Sequence, residues 1–193
     1  MIVRPYYLDM LKTYRDVPLV KILAGIRRCG KSTILDMLKD DLLGSGIAAD
    51  HVIHLRYTSE DLDDSMTAKQ MYRDIKEKIT DSERYYLLLD EVQLLDCFEA
   101  VLNGYLRKEN MDVYVTGSNA KFLSKDIITE FAGRGDEIRM YPLSFAEFMT
   151  AYSGDKYTGL SEYMLYGGIP LVVLRNGANE KSAALQSLFD EIY

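Results

Sequence analysis

Apolar and polar residues follow two different patterns along the first three quarters of the chain. Short, almost wholly apolar runs, such as RYYLLLDEVQ, are typical of strands buried on both faces of a sheet. Between them, apolar residues recur every three or four positions, which predicts amphipathic helices. The predicted strands are 18–25, 51–57, 84–93, 111–119 and 136–144. Strands that alternate with helices predict an α/β fold, with a five-stranded, mostly parallel sheet in a three-layer sandwich.

The pattern changes after Pro142, where short helical segments follow one another without strands. These segments are FAEFMTAY, LSEYMLYGG, PLVVLRNG and EKSAALQSLFDEIY. We therefore expect a core over 1–144 and a small helical module over 145–193. The last helical pattern reaches the final residue without a capping signal. From this we expect the chain to be part of a longer protein.

The composition is that of an ordinary globular protein, with 48% hydrophobic and 27% charged residues. No apolar run is long enough to span a membrane, and the start lacks the apolar segment of a signal peptide. Two cysteines are too few for a disulfide framework, which favours a reducing, cytoplasmic setting. A net charge of −7 counts against a general nucleic-acid surface, although residues 1–40 carry a local excess of basic side chains.

The segment GIRRCGKS, residues 25–32, fits the phosphate-loop pattern G-x-x-x-x-G-K-[ST] between a predicted strand and a predicted helix. Gly25 and Gly30 allow the backbone to wrap a phosphate with its N–H groups pointing inward. The start of the following helix adds a positive end. We expect Lys31 to reach the β- and γ-phosphates of a nucleotide and Ser32 to offer its hydroxyl to Mg²⁺.

The variable positions of this loop are Ile26, Arg27, Arg28 and Cys29, and we include them among the expected nucleotide contacts. For the two arginines, solvated side chains at the loop tip are the simpler interpretation. Cys29 lies beside a lysine and a helix start, two features that lower the pKa of a thiol. It is a candidate chemical handle, but no histidine lies near it in sequence to make it a nucleophile.

Two acids, Asp90 and Glu91, end the apolar run of the third predicted strand. Asp90 can hold Mg²⁺ directly or through water, and Glu91 can polarise an attacking water as a general base. Asp90 is 59 residues beyond Lys31, which leaves room for one intervening strand. This spacing fits an acidic strand that neighbours the loop strand after a topological switch. An acidic strand end with no function is the alternative.

Small polar residues end the fourth predicted strand, in the sequence YVTGSN. Thr116, Ser118 or Asn119 could hydrogen-bond the γ-phosphate or the attacking water and so report whether that phosphate is present. We favour Ser118 as this sensor. A capped turn is the alternative, since Gly-Ser-Asn is a turn sequence in its own right.

Arg134 lies at the end of a predicted helix that begins at residue 122 and ends at Gly133 or Gly135, just before the fifth strand. An arginine here could enter the nucleotide site of a neighbouring subunit and stabilise transition-state charge. It could equally be a surface arginine paired with Asp136 or Glu137. The residues alone leave these two interpretations even.

Taken together, these motifs resemble those of AAA+-type P-loop ATPases. More closely, the chain resembles a family of bacterial and archaeal predicted ATPases related to the signal-transduction ATPases with numerous domains. The resemblance is carried by GIRRCGKST, LLLDEVQ, VTGSNA, FAGRGDEIRMYPLSFAEF and YGGIP, within residues 25–170. The last two segments are the specific combination, because the first two define only the broad class.

The resemblance assigns roles to the matching positions. Lys31, Ser32 and Thr33 match the phosphate and Mg²⁺ contacts of the family. Asp90 and Glu91 match its Mg²⁺-binding and water-activating acids.

Three further motifs are matched in the same way. Ser118 matches the sensor, and Arg134 matches a candidate arginine finger, which favours that role over a surface pair. Gly168 and Pro170, in GGIP, become candidates for contact with the adenine. This last role rests on the resemblance alone, because Gly-Gly-Ile-Pro is otherwise a helix stop.

The resemblance implies an ATPase module that uses ATP and Mg²⁺ and is followed by a C-terminal effector domain beyond this chain. We expect the nucleotide cycle to move the helical module and to be coupled to that domain or to a partner. A homo-oligomer formed through Arg134 is one expected assembly. The alternatives are a nucleotide-gated switch with little hydrolysis and, disfavoured by the acidic charge, a nucleic-acid-dependent ATPase.

Overall fold

Five strands form one sheet in the computed structural model, which describes residues 2–58, 67–118, 131 and 133–192. The strands are β1 (Val20–Gly25), β2 (Val52–Arg56), β3 (Tyr85–Asp90), β4 (Met111–Gly117) and β5 (Gly135–Met140). The α-helices among these residues are α1 (Pro5–Thr13), α2 (Lys31–Gly44), α3 (Ala68–Lys78), α4 (Phe98–Tyr105), α5 (Phe145–Ala151), α6 (Lys156–Tyr166), α7 (Pro170–Val173) and α8 (Gly177–Ile192). The helix predicted to begin at residue 122 lies largely outside the described residues, as does Asn119.

The strands are arranged in the order β2-β3-β4-β1-β5. The pairs β2/β3, β3/β4 and β4/β1 are all parallel, which confirms the predicted α/β fold with a mostly parallel sheet. The expectation that the acidic strand, β3, neighbours the strand before the phosphate loop, β1, is wrong. β4 lies between these two strands.

The burial of three strands on both faces accounts for their almost wholly apolar sequences. β1, β3 and β4 are buried along their whole length, because helices cover both faces of the sheet. Side chains on one face of these strands form a core with residues of α3 and α4 such as Met71 and Tyr105. The sequence analysis did not predict α1, which buries only Tyr7 and Leu11 and therefore carries a weak pattern.

The contacts divide the chain into two compact units. The sheet unit comprises Pro5–Gly25 and Lys31–Arg139, and the helical unit comprises Met1–Arg4, Ile26–Gly30 and Met140–Tyr193. The central residues of the phosphate-loop segment thus belong to the helical unit, and its two ends belong to the sheet unit.

In the helical unit, α5 begins with a complete capping box. The Ser144 hydroxyl accepts a hydrogen bond from the Glu147 backbone N–H, and the Glu147 carboxylate accepts one from the Ser144 N–H. Phe148 of α5 packs against Tyr163 of α6, with ring centroids 5.4 Å apart. In the described part of the chain, no helix is long and apolar enough to cross a membrane.

Candidate active site

Three parallel strands end at one edge of the sheet, which we call the carboxyl edge. β1 ends at Gly25, β3 at Asp90 and β4 at Gly117. Residues that follow these strands therefore lie close together. Two contacts join them: the Lys31 Nζ lies 3.9 Å from one Glu91 carboxylate oxygen, and the Ser118 hydroxyl lies 2.9 Å from the other.

Lys31 is the first residue of α2 and is only 3% exposed. Its Nζ donates a hydrogen bond to the carbonyl oxygen of Gly25 at 3.1 Å. A buried ammonium needs such partners, because its transfer out of water is costly unless charge or hydrogen bonds compensate. Ser32 and Thr33 follow in the first turn of α2 and are half-buried.

Asp90 has a buried carboxylate, with both oxygens held. The Thr116 hydroxyl donates to Oδ1 at 2.6 Å, and the Arg56 Nε lies 3.0 Å from Oδ2. Arg56 also donates to both carboxylate oxygens of Asp36, in α2, at 3.1 Å. The sequence analysis missed Arg56. The available signal was a basic residue at the end of β2, which the register places opposite Asp90.

His54 lies near Asp36 and Arg56 but carries no charge of its own near pH 7. The His54 Nδ1 is 3.8 Å from an oxygen of Asp36. Burial lowers the pKa of His54, and the negative charge of Asp36 acts in the opposite direction. His54 is therefore neutral near pH 7, and Arg56 supplies the positive charge from β2.

Glu91 is held in an unusual conformation directly after β3. Its backbone is left-handed, with φ 57° and ψ 41°, a region that costs energy for residues other than glycine. The Glu91 N–H donates to the Thr116 hydroxyl at 3.0 Å. Its carboxylate accepts hydrogen bonds from Ser118 and from the side-chain amide of Gln93. Strain combined with this many restraints is typical of a functional site.

Two of the three sensor candidates now have distinct positions. Thr116 is fully buried and joins the two acids, because its hydroxyl donates to Asp90 and accepts from Glu91. Ser118 contacts the carboxylate of Glu91. The sequence analysis also missed Gln93, although it stands only two residues beyond Glu91 in DEVQ.

Arg134 lies at the opposite edge of the sheet. Its carbonyl oxygen accepts a hydrogen bond from the N–H of Val20, the first residue of β1. Gly25 is five residues further along the strand, or about 16 Å at the usual rise per residue. Within one chain, the structure does not bring Arg134 to Lys31 or the acids. Of the surface partners considered for Arg134, Glu137 is paired with Arg139 at 3.0 Å.

The centre of the phosphate-loop segment is described within the helical unit. Ile26, Arg27 and Arg28 are exposed, whereas Cys29 is fully buried. The interpretation of Cys29 as an accessible chemical handle is therefore wrong. Arg28 and Gly30 have positive φ angles of 66° and 101°, which allow the sharp path of the loop.

Gly168 and Pro170 have packing roles in the same unit. A Cβ atom on Gly168 would lie 2.1 Å from the carbonyl oxygen of Leu143, so only glycine fits. Pro170 begins α7, and its Cγ would lie 4.0 Å from a Cβ atom on Gly30. The structure thus brings the proline of GGIP to a glycine of the phosphate loop.

Residues 18–149 match the family described as an AAA domain. This chain belongs to the AAA domain family. The match covers all of the sheet unit's strands and the residues Lys31, Asp90 and Glu91.

Two curated relatives of this AAA domain are both uncharacterized proteins. One, from Haemophilus influenzae, is 37% identical over all of this chain, which covers 49% of that protein. The other, from Methanocaldococcus jannaschii, is 25% identical over 90% of this chain and 41% of that protein. The chain thus spans about half the length of these relatives.

Solved structures support the fold of the AAA domain. The Walker-type ATPase PABY2304 of Pyrococcus abyssi has a TM-score of 0.67 at 17% identity, over 100% of this chain and 72% of that one. A DNA polymerase III gamma subunit-related protein from Thermotoga maritima has a TM-score of 0.57 at 15% identity, over 86% of this chain and 56% of that one. These likenesses identify a P-loop ATPase fold.

The residues of this AAA domain fit the Mg²⁺ that the family implies. Mg²⁺ prefers oxygen ligands, keeps several waters and shares a nucleotide's phosphates, so it needs few protein ligands. Ser32 and Asp90 supply a hydroxyl and a carboxylate of this kind. Among the described residues there is no cluster of three or more His, Cys, Asp or Glu side chains that could form an all-protein metal site.

Proposed function

We propose that this AAA domain binds ATP together with Mg²⁺ and hydrolyses the γ-phosphate. The observation that carries the proposal is the position of Glu91. Its carboxylate lies 3.9 Å from the buried Lys31 Nζ and directly follows Asp90 at the carboxyl edge. A phosphate-binding lysine beside a metal-binding acid and a general base is the minimum that ATP hydrolysis requires.

The phosphate-loop residues would bind the nucleotide in the roles that their chemistry allows. The backbone from Gly25 to Gly30 would supply N–H groups, and Lys31 would contact the β- and γ-phosphates. Ser32 and Asp90 would hold Mg²⁺, which neutralises phosphate charge, and Thr33 would support the phosphate contacts. Adenine contact by Gly168 and Pro170, and a lid role for residues 145–193, rest on the family resemblance.

The contacts of Glu91 suggest how this chain could control its general base. Lys31 and Ser118, the two groups proposed to contact the γ-phosphate, both lie against the Glu91 carboxylate. If ATP draws them to its γ-phosphate, the carboxylate loses those partners and can accept a proton from water. The side-chain oxygen of Gln93 is buried and has no hydrogen-bond partner among the described residues, so a water there could also donate to it.

Two substitutions test the proposal at separate steps. Glu91→Gln should lower turnover by roughly 10²- to 10⁴-fold with nucleotide still bound, because the amide cannot accept the proton. Lys31→Ala should abolish ATP binding measured by calorimetry. The matched controls are Glu77→Gln and Lys76→Ala, which change exposed side chains of α3. Unchanged turnover in Glu91→Gln removes Glu91 from the mechanism, and retained ATP affinity in Lys31→Ala contradicts the phosphate loop.

A nucleotide-gated switch with little hydrolysis is the second candidate, and the position of Arg134 favours it for an isolated chain. Arg134 lies beside the amino end of β1, which is too far from Lys31 for its side chain to reach the nucleotide of the same chain. Specific ATPase activity that rises with protein concentration and is lost in Arg134→Ala supports an arginine acting between subunits. Negligible activity at every concentration supports the switch.

We also propose that the nucleotide cycle acts on a further domain or partner. The support is the length of the relatives, of which this chain covers 49% and 41%. Limited proteolysis of the full-length protein, with and without ATP, tests whether nucleotide binding affects such a domain. Protection outside residues 1–193 that depends on nucleotide and is lost in Lys31→Ala is the expected result.

A further inference from the structure

Arg4 is a buried arginine that the proposed mechanism does not use. It is 3% exposed and belongs to the helical unit. Its Nη1 donates hydrogen bonds to the carbonyl oxygens of Cys29 at 3.1 Å and Tyr141 at 2.9 Å. Its Nη2 donates to the carbonyl oxygen of Pro142 at 3.4 Å. One side chain therefore joins the amino-terminal segment, the phosphate loop and the segment before α5.

The remaining donors of Arg4 form an ion pair with Glu147. Nε lies 2.7 Å from Oε1, and Nη2 lies 3.1 Å from Oε2, which is the two-point geometry that arginine favours with a carboxylate. These hydrogen bonds use all three nitrogens of the guanidinium. A buried arginine with this set of partners has one orientation, which makes it suitable for fixing the position of another group.

The group that it fixes is the peptide between Cys29 and Gly30. In a planar trans peptide, the C=O and the following N–H point in opposite directions. Because Arg4 holds the Cys29 carbonyl, the Gly30 N–H is turned away from Arg4. Gly30 is the second glycine of the phosphate-loop pattern, where N–H groups that point inward bind phosphate oxygens. Its φ of 101° allows this orientation without strain.

We propose that Arg4 is a positioning residue for nucleotide binding: it orients the Cys29–Gly30 peptide and links that peptide, through Glu147, to the start of α5. The inference rests on the proposed ATP binding. Its physical basis is that a preorganised phosphate loop binds anions without first ordering its backbone. A shift of the loop on binding nucleotide would reach α5 through two rigid contacts, the guanidinium and the Glu147 carboxylate.

The test separates loop positioning from general stabilisation by using single and double variants. Arg4→Met removes the guanidinium but leaves the Glu147 charge without its main partner, so it should lower both the melting temperature and the ATP affinity. Arg4→Met combined with Glu147→Gln removes that unpaired charge, and glutamine still supports the capping box. The double variant should regain part of the melting temperature, while its ATP affinity stays about 10- to 100-fold below that of the unchanged protein.

The measurements are thermal unfolding without nucleotide and titration of a fluorescent ATP analogue, on the full protein. Arg175→Met, an exposed arginine of the same unit, is the matched control and should change ATP affinity less than about twofold. Recovery of both melting temperature and ATP affinity in the double variant overturns the positioning role. ATP affinity unchanged in Arg4→Met also overturns it. If Arg4→Met does not fold, the double variant decides alone.

Lys31→Ala, measured in parallel, distinguishes failure of this inference from failure of the proposed function. If Lys31→Ala loses ATP binding and the Arg4 variants keep it, only the role of Arg4 is overturned. If Lys31→Ala binds ATP as well as the unchanged protein, the phosphate loop does not bind nucleotide, and both proposals fall together.

Discussion

Arg56 and Asp90 are paired across two neighbouring strands, with 3.0 Å between the arginine Nε and the carboxylate Oδ2. They are the last residues of β2 and β3 and face each other in the register. Asp90 is almost fully buried, whereas about half of the Arg56 side chain is exposed. The acid proposed to hold Mg²⁺ is therefore paired with a half-exposed counter-ion, which a bound metal ion would have to replace.

Removal of this counter-ion should lower the Mg²⁺ concentration that ATP binding requires. In Arg56→Gln, Asp90 has no cation to compete with the metal, so half-maximal ATP binding should need roughly three- to tenfold less Mg²⁺. The measurement is a Mg²⁺ titration at a fixed ATP concentration. Asp36→Asn leaves Arg56 with Asp90 as its main acidic partner and should raise the Mg²⁺ requirement. An equal or higher requirement in Arg56→Gln contradicts competition.

Gln93 should affect turnover without affecting ATP binding. Its amide donates to the Glu91 carboxylate and limits the orientations that this carboxylate adopts. Gln93→Leu should lower kcat about tenfold through misorientation of the base, with ATP affinity within twofold. Calorimetry and steady-state turnover provide the two values. A parallel loss of affinity and kcat would show that Gln93 acts on the nucleotide rather than on Glu91.

Two glycines offer a matched test of the packing. Gly168→Ala puts a methyl group 2.1 Å from the Leu143 carbonyl oxygen and should lower stability by about 1–3 kcal/mol. Gly104→Ala, within α4, meets nothing within 4 Å and should raise stability by up to about 1 kcal/mol through helix propensity. Denaturant unfolding of both variants checks this. Equal stability in the two would mean that Leu143 moves aside without cost.

The Glu147 carboxylate should make stability depend on pH in the acid range. Burial acts to raise its pKa, but hydrogen bonds from Arg4 and Ser144 outweigh it and lower the pKa from the ordinary 4.5. A depressed pKa in the folded state contributes stability above 4.5 that is lost as pH falls through the folded value. Melting temperatures from about pH 6 to pH 3 should thus fall less steeply in Glu147→Gln. Identical slopes would contradict the pairing.

Much of the fold could be predicted because apolar runs mark strands wherever both faces of a sheet are covered. The same runs located Asp90 and Glu91, since strand ends in a parallel sheet meet at one edge. The order of the strands could not be predicted in this way. A chain that alternates strands and helices does not say that β4 will lie between β1 and β3, which depends on pairings across distant segments.

Two of the missed residues, Arg56 and Arg4, share one property: their partners are remote in sequence. Arg56 is significant only once the register places it opposite Asp90. Arg4 stands 25 residues before the carbonyl that it holds and 143 before Glu147. A single arginine among apolar residues carries no pattern of its own. The burial of Cys29 likewise depends on packing that residue type and spacing do not encode.

The left-handed backbone of Glu91 places two demands on one position. Glycine would adopt a φ of 57° with the least strain, and asparagine would adopt it more readily than glutamate. Neither glycine, which has no functional group, nor the asparagine amide can take up a proton from water at neutral pH. Substitutions that ease the backbone at position 91 would therefore yield a protein that folds at least as readily and loses the general-base chemistry that we propose for Glu91. If Glu91 is the general base, a stability–activity trade-off therefore rests on this one residue.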